Sequence, residues 1–200
     1  MQHSEIPESS IDDVKIIGIC GNKYNGKDTI ADYIIKNYGY TKLSFGDPLK
    51  YAVRDIFSFT NEQLWGNEKE IVDPYWKVTP REMLQFIGTD CLRNLIKTHY
   101  PTIGDNLWTM SFKKTIDDYI KKGYRKFVIP DIRFPNEEQI LRKYHNCNII
   151  RVIRHGINST DTHVSENLID QIKTDIIIHN DTFEQLYISV DIAMNTFNSQ

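Results

Sequence analysis

Apolar positions along the chain come in two patterns that alternate from end to end. Short unbroken apolar runs lie at residues 14–20 (VKIIGIC), 126–130 (KFVIP), 148–153 (NIIRVI) and 175–179 (DIIIH). Such runs suit strands buried on both faces of a parallel sheet. Between them, apolar residues recur every three or four positions, the period of a helix with one face inward. Residues 27–38 place Ile30, Ile34 and Ile35 inward, and Gly39 follows as a C-terminal stop. Residues 41–45 form a short second strand. Asp47 then reads as the cap of a helix with Pro48 at its first position and a stripe of Leu49, Ala52, Val53 and Ile56.

Residues 58–80 mix Trp65, Pro74, Tyr75 and Trp76 with charges and show no clear period, apart from a short helix near 62–65. The spacing predicts one long helix over 80–99 and another over 105–122, the latter with Trp108, Phe112, Ile116 and Ile120 four apart. Asn136 reads as the cap of a helix running to Tyr144. The last helix covers 182–197, with Phe183, Leu186, Tyr187, Val190, Ala193 and Met194 inward. Strands alternating with helices mean an α/β fold around a parallel sheet of about five strands. Ligands of such sheets bind beyond the carboxyl ends of the strands. The polar sequences that follow the first four strands therefore fall on one rim.

Composition narrows the picture. The chain has 200 residues, 40% hydrophobic and 26% charged, with a net charge of −3. That fits one soluble, cytoplasmic domain over 14–200 and gives no broad surface for nucleic acid or membrane. Residues 1–13 are polar and read as a mobile tail. No apolar run approaches the ~20 residues needed to span a bilayer. Cys20, Cys91 and Cys147 form no CxxC pair and read as buried free thiols.

The sharpest chemistry follows the first strand: Gly21-Asn22-Lys23-Tyr24-Asn25-Gly26-Lys27-Asp28-Thr29. Two glycines four residues apart, then Lys, between a strand and a helix, make a phosphate-binding loop. Backbone N–H groups and the helix N-terminus face the anion, and Lys27 adds a full charge. Thr29 can bond a phosphate. Asp28 stands where a hydroxyl usually meets Mg²⁺. It reads either as a ligand to the metal, direct or through water, or as an acid favoured by the helix dipole.

Four other groups lie at strand ends or on helix faces. Asp47 is a helix-start residue or a holder of a second substrate. Arg81, Gln85 and Gly88 share a narrow helix stripe, with Thr89 next to it. Gly88 costs ~1 kcal/mol against Ala within a helix, which asks for either a ligand or tight packing as its reason. Asp131 and Arg133 suit a metal-water contact and a bidentate phosphate contact, or else bond each other across a turn. Glu137 is a rim group or an acidic helix start. Arg154 leads a polar loop at 155–167, which reads as a lid or a surface loop and holds His163 and Glu166.

These blocks, in this order, resemble the deoxynucleoside monophosphate kinases of bacteriophages and large DNA viruses. The matching residues are Gly21-x-Lys23-x-x-Gly26-Lys27-Asp28-Thr29, Gly46-Asp47-Pro48-Leu49-Lys50, Leu84-Gln85-x-x-Gly88-Thr89-Asp90 and Trp108. Pro130-Asp131-x-Arg133 with Glu137 follows, then Arg154 with Asp161-Thr162-His163-x-Ser165-Glu166, and last 176–180. The resemblance implies a P-loop NTPase of adenylate-kinase-like, three-layer α/β/α form with a five-stranded parallel sheet. A helical acceptor segment at about 47–122 and a lid come with it. It implies transfer of the γ-phosphoryl of ATP, with Mg²⁺, to a deoxynucleoside 5′-monophosphate.

By position, the resemblance assigns Gly21, Lys23, Tyr24, Gly26, Lys27, Asp28, Thr29 and Arg154 to the donor, with Asp28 at the metal. The acceptor would meet Asp47, Leu49, Lys50, Arg81, Gln85, Gly88, Thr89, Trp108, Asp131, Arg133, Glu137, His163 and Glu166. Catalysis would rest on Lys27, Asp28, Asp131 and Arg133. A homodimer is compatible with the apolar faces of 81–99 and 105–122. The chain departs from the family at Tyr24, where some members carry Arg, and over 58–80, which is shorter than in some members. Animal-type phosphomevalonate kinase shares the Gly-Lys-Asp loop and the Pro-Leu-Lys block and is the rival reading. A nucleotide-binding regulator without chemistry is the third.

Overall fold

The structure, a computed structural model, describes residues 12–155 and 168–199. Most of the expected tail and nearly all of the expected lid, His163 and Glu166 included, lie outside the described residues. The chain divides into two compact units, residues 45–112 and the remainder.

The larger unit is built on five parallel strands: β1 (Lys15–Cys20), β2 (Thr41–Lys42), β3 (Lys126–Ile132), β4 (Asn146–Ile153) and β5 (Ile176–His179). Their order across the sheet is β2-β3-β1-β4-β5, so β1 is central and the glycine loop leaves from the middle of the sheet. Side chains alternate faces along β1. Ile17 and Ile19 join Ile30, Ala31 and Ile34 of α1 (Lys27–Tyr38) and Leu186, Val190, Ala193 and Met194 of the closing helix at Phe183–Asn198 in one core. Gly18 points the other way. A Cβ there would fall 2.4 Å from Ile132 and 3.6 Å from Leu141 of the helix at Pro135–Leu141. Helices thus cover both faces, and the three-layer α/β/α expectation holds.

The smaller unit holds α2 (Asp47–Phe57), α3 (Asn61–Trp65), α4 (Pro80–Gln85) and α5 (Ile96–His99), and α6 (Leu107–Lys121) begins within it. After α6 come α7 (Pro135–Leu141) and α8 (Phe183–Asn198). Val53, Phe59 and Leu64 form the core of the smaller unit, with Leu49, Met83, Leu84 and Ile87 packed on it. Thr60 with Gln63, and Thr79 with Glu82, close reciprocal capping boxes that start α3 and α4. The Phe45 and Phe112 rings stack with centroids 4.2 Å apart.

Several expectations need correction. The predicted helix over 80–99 is interrupted: residues Phe86–Leu95 form a wider π-helical stretch between α4 and α5. Apolar spacing of three and four cannot separate that geometry from an α-helix. Phe86 and Leu95 are exposed, whereas Arg93 is buried. β2 ends at Lys42, not at residue 45. Asp47 lies inside α2, with Gly46 as its cap, and Ala52 and Ile56 of the expected stripe face outward. Phe134, not Asn136, caps α7, because Pro135 occupies the first helical position. Phe183 is exposed. No helix among the described residues is long and apolar enough to cross a membrane.

Candidate active site

The glycine loop is tied down at both glycines. Gly21 has φ +143°, and a Cβ there would fall 2.4 Å from the Val152 carbonyl oxygen of β4. Gly26 has φ +95°, caps α1, and leaves room only for Asn180. Between them, buried Asn25 donates from Nδ2 to Val152 O at 2.9 Å. Asn180, just past β5, donates from its own Nδ2 to Asn25 O at 2.9 Å. Two neighbouring strands therefore set the loop's shape. Tyr24, also at positive φ, is exposed, with the Lys23 ammonium 4.8 Å from its ring.

Lys27 begins α1, and its Nζ donates to Gly21 O at 2.7 Å and Asn22 O at 2.8 Å. The ammonium thus lies over the hollow of the loop. Thr29 lies in the same first turn. Asp28 is exposed, and its Oδ1 accepts from Lys42 Nζ at 2.9 Å. Burial works against the Lys42 charge, but Asp28, with weaker help from Asp32 and Asp131, raises the ammonium above its usual range. Asp131 accepts a short hydrogen bond from the Ser44 hydroxyl. Lys42 and Asn180 are absent from the site expected from sequence; the structure puts Lys42 at the end of β2 and Asn180 just past β5.

At the end of β3, Glu137 is almost fully buried. Its Oε2 accepts from the backbone N–H groups of Arg133 at 2.8 Å and Phe134 at 3.1 Å. That is the helix-start role, and it fixes the turn that carries Asp131 and Arg133. Arg154 is exposed just beyond β4.

The smaller unit holds the other expected residues. Trp65 donates from Nε1 to Asp47 Oδ1 at 2.9 Å, and Lys50 Nζ lies 3.5 Å from the same oxygen. Lys50 also sits over the Trp65 ring, 5.5 Å from its centroid. Arg81 pairs with Glu70. Gln85 ends α4, and Gly88 and Thr89 lie in the π-helical stretch. Leu49 packs on Gly88 so closely that a Cβ would fall 2.6 Å from its Cδ2. Trp108 donates from Nε1 to Gly88 O at 3.2 Å. Tight packing thus accounts for this glycine. Trp65, missed as a partner of Asp47, ends the short helix α3, and no pattern in the sequence pairs it with a residue 18 positions earlier.

Among the described residues, no three His, Cys, Asp or Glu side chains gather into a metal cluster.

A family model described as deoxynucleotide monophosphate kinase matches residues 56–190. A putative deoxynucleotide monophosphate kinase of Acanthamoeba polyphaga mimivirus is 38% identical over 86% of this chain and 92% of its own length. The deoxynucleotide monophosphate kinase of Enterobacteria phage T4 is 23% identical over 87% of this chain and 96% of its own. Among solved structures, a sugar kinase from Janibacter sp. HTCC2649 covers 91% of this chain and 95% of its own at a TM-score of 0.53. At 10% identity that likeness concerns the fold alone.

Proposed function

Because the chain belongs to the deoxynucleotide monophosphate kinase family, we propose that it transfers the γ-phosphoryl group of ATP to a deoxynucleoside 5′-monophosphate. A phosphate oxygen of the acceptor attacks the γ-phosphorus, the bond to the β–γ bridging oxygen breaks, and ADP leaves. The observation that carries this reading is the anchored loop: Gly21 and Gly26 at positive φ, with Lys27 held over the hollow they enclose. Phosphoryl transfer asks little covalent chemistry of a protein and much positioning and charge. Lys27 follows the transferring group as a point charge. The loop N–H groups and the start of α1 hold the phosphates.

Mg²⁺ fits the donor set present. It keeps several waters and takes one or two carboxylates besides substrate phosphates, so it needs no protein cage. Asp28, exposed in the first turn of α1, would be the carboxylate that holds it, with Asp131 as a second acid, and the bound ion would supply positive charge against the phosphates. On the acceptor side, Lys50 of the smaller unit serves the monophosphate, and Asp47, held by Trp65, orients it. Arg81, Gln85, Thr89 and Trp108 line the nucleoside.

Purified protein with ATP and Mg²⁺, offered dGMP, dTMP, dCMP, dAMP, the ribonucleotides or phosphomevalonate in turn, tests this by ADP release. Release with at least one deoxynucleotide is expected. Release with phosphomevalonate alone, or with no acceptor, overturns it.

A further inference from the structure

Lys42 is the last residue of β2, at the carboxyl edge of the sheet, and its ammonium lies 2.9 Å from the Asp28 carboxylate. Two residues on, Ser44 donates to Asp131. The short stretch 42–44 therefore bonds both Asp28 of the donor loop and Asp131, two of the acids expected in catalysis. As an ion pair, Lys42–Asp28 is a poor stabiliser: the side chains remain 39% and 78% exposed, and pairs of that kind add little to folding.

Its value is electrostatic and geometric. Asp28 places a negative charge in the first turn of α1, where a polyanion must enter, and Lys42 is the cation bonded to it at 2.9 Å. Without Lys42, Asp28 also loses this bond, which holds its carboxylate. We infer that Lys42 is a positioning residue for the transfer: it aims the Asp28 carboxylate and offsets its charge, so that the donor phosphates and their cation meet a preset group. This rests on the reading of the loop as the ATP site.

The test compares wild type, Lys42→Met, Lys42→Arg, Asp28→Asn and the Lys42→Met/Asp28→Asn double variant. ATP binding is followed by calorimetry with and without Mg²⁺, turnover by ADP release, and the thermal midpoint serves as a control. Lys42→Met should weaken Mg²⁺-free ATP binding by about tenfold, the effect of one partly screened unit charge a few ångströms away. It should also raise the Mg²⁺ concentration needed for half-maximal rate, with the thermal midpoint unchanged. Lys42→Arg should recover most of the loss, and in the Asp28→Asn background Lys42→Met should no longer change the Mg²⁺ requirement. Wild-type-like ATP binding and Mg²⁺ dependence in Lys42→Met would overturn the inference, as would a shift of the Mg²⁺ requirement by Lys42→Met that is as large in Asp28→Asn as in wild type. A wild-type protein that binds no ATP would sink the donor-site reading first, and the inference with it.

Discussion

The side chain of Asn180 and the backbone carbonyl of Asn25 lie 2.9 Å apart although 155 positions separate them in the chain. This bond ties the phosphate loop to the end of β5, while Asn25 Nδ2 ties it to β4. Replacing Asn180 by Ala leaves a buried carbonyl without that donor, which costs about 1–3 kcal/mol. The larger effect should fall on the loop's shape. Asn180→Ala should weaken ATP binding at least tenfold while the protein stays folded, read by calorimetry beside a denaturant titration. Unchanged ATP binding in a destabilised variant would show that the bond serves stability alone.

Lys27 Nζ bonds the loop's own carbonyls, Gly21 O and Asn22 O, and the residue belongs to neither buried apolar cluster. Lys27→Ala should keep the wild-type circular dichroism spectrum and lose turnover by ~10³-fold, the scale of one cation at a transferring phosphoryl group. A folded variant with turnover near wild type would remove Lys27 from the mechanism.

How far the sequence alone reaches can be judged at these same residues. Lys27 is legible because its signal is local: an apolar strand, two glycines and a helical period surround it. The parallel sheet is legible for the same reason, since buried strands read as unbroken apolar runs. Asn180 and Lys42 carry no local pattern. Their roles come from strand order, which places β5 and β2 near the central loop only through pairing across the sheet. The π-helical stretch at Phe86–Leu95 also escapes, since its apolar residues keep nearly the same spacing. Glu137 reads from sequence as a rim group or an acidic helix start, and its bonds to the Arg133 and Phe134 N–H groups belong to the helix start.

Trp65 offers one indole N–H to Asp47 and one ring face to Lys50. Trp65→Phe separates the two, keeping a ring and removing the donor. Loss of one part-buried hydrogen bond to a carboxylate should cost up to about 3 kcal/mol. If Asp47 orients Lys50 toward the acceptor, KM for the deoxynucleotide should rise several-fold with KM for ATP unchanged. A change in ATP KM alone would assign the pair to another task.

Two of the thiols respond to burial, and that makes an alkaline limit to stability. Desolvation pushes Cys20 up from 9.0 to about 11, although Arg151 and Lys27 pull the other way, and pushes Cys147 up to about 12. Both groups bind protons more tightly when folded. Their contribution is therefore complete below pH 9 and is lost as pH rises through 11 and 12, by at most ~1.4 kcal/mol per pH unit for each thiol. The thermal midpoint should fall between pH 9 and 11, and a Cys20→Ala/Cys147→Ala variant should show a shallower fall from its own pH 8 value. At pH 8 a disulfide reagent should modify Cys91, the half-buried thiol, well before the other two. Rapid labelling of all three cysteines in the native protein, or equal alkaline slopes in the two proteins, would mean that burial of these thiols does not set the limit.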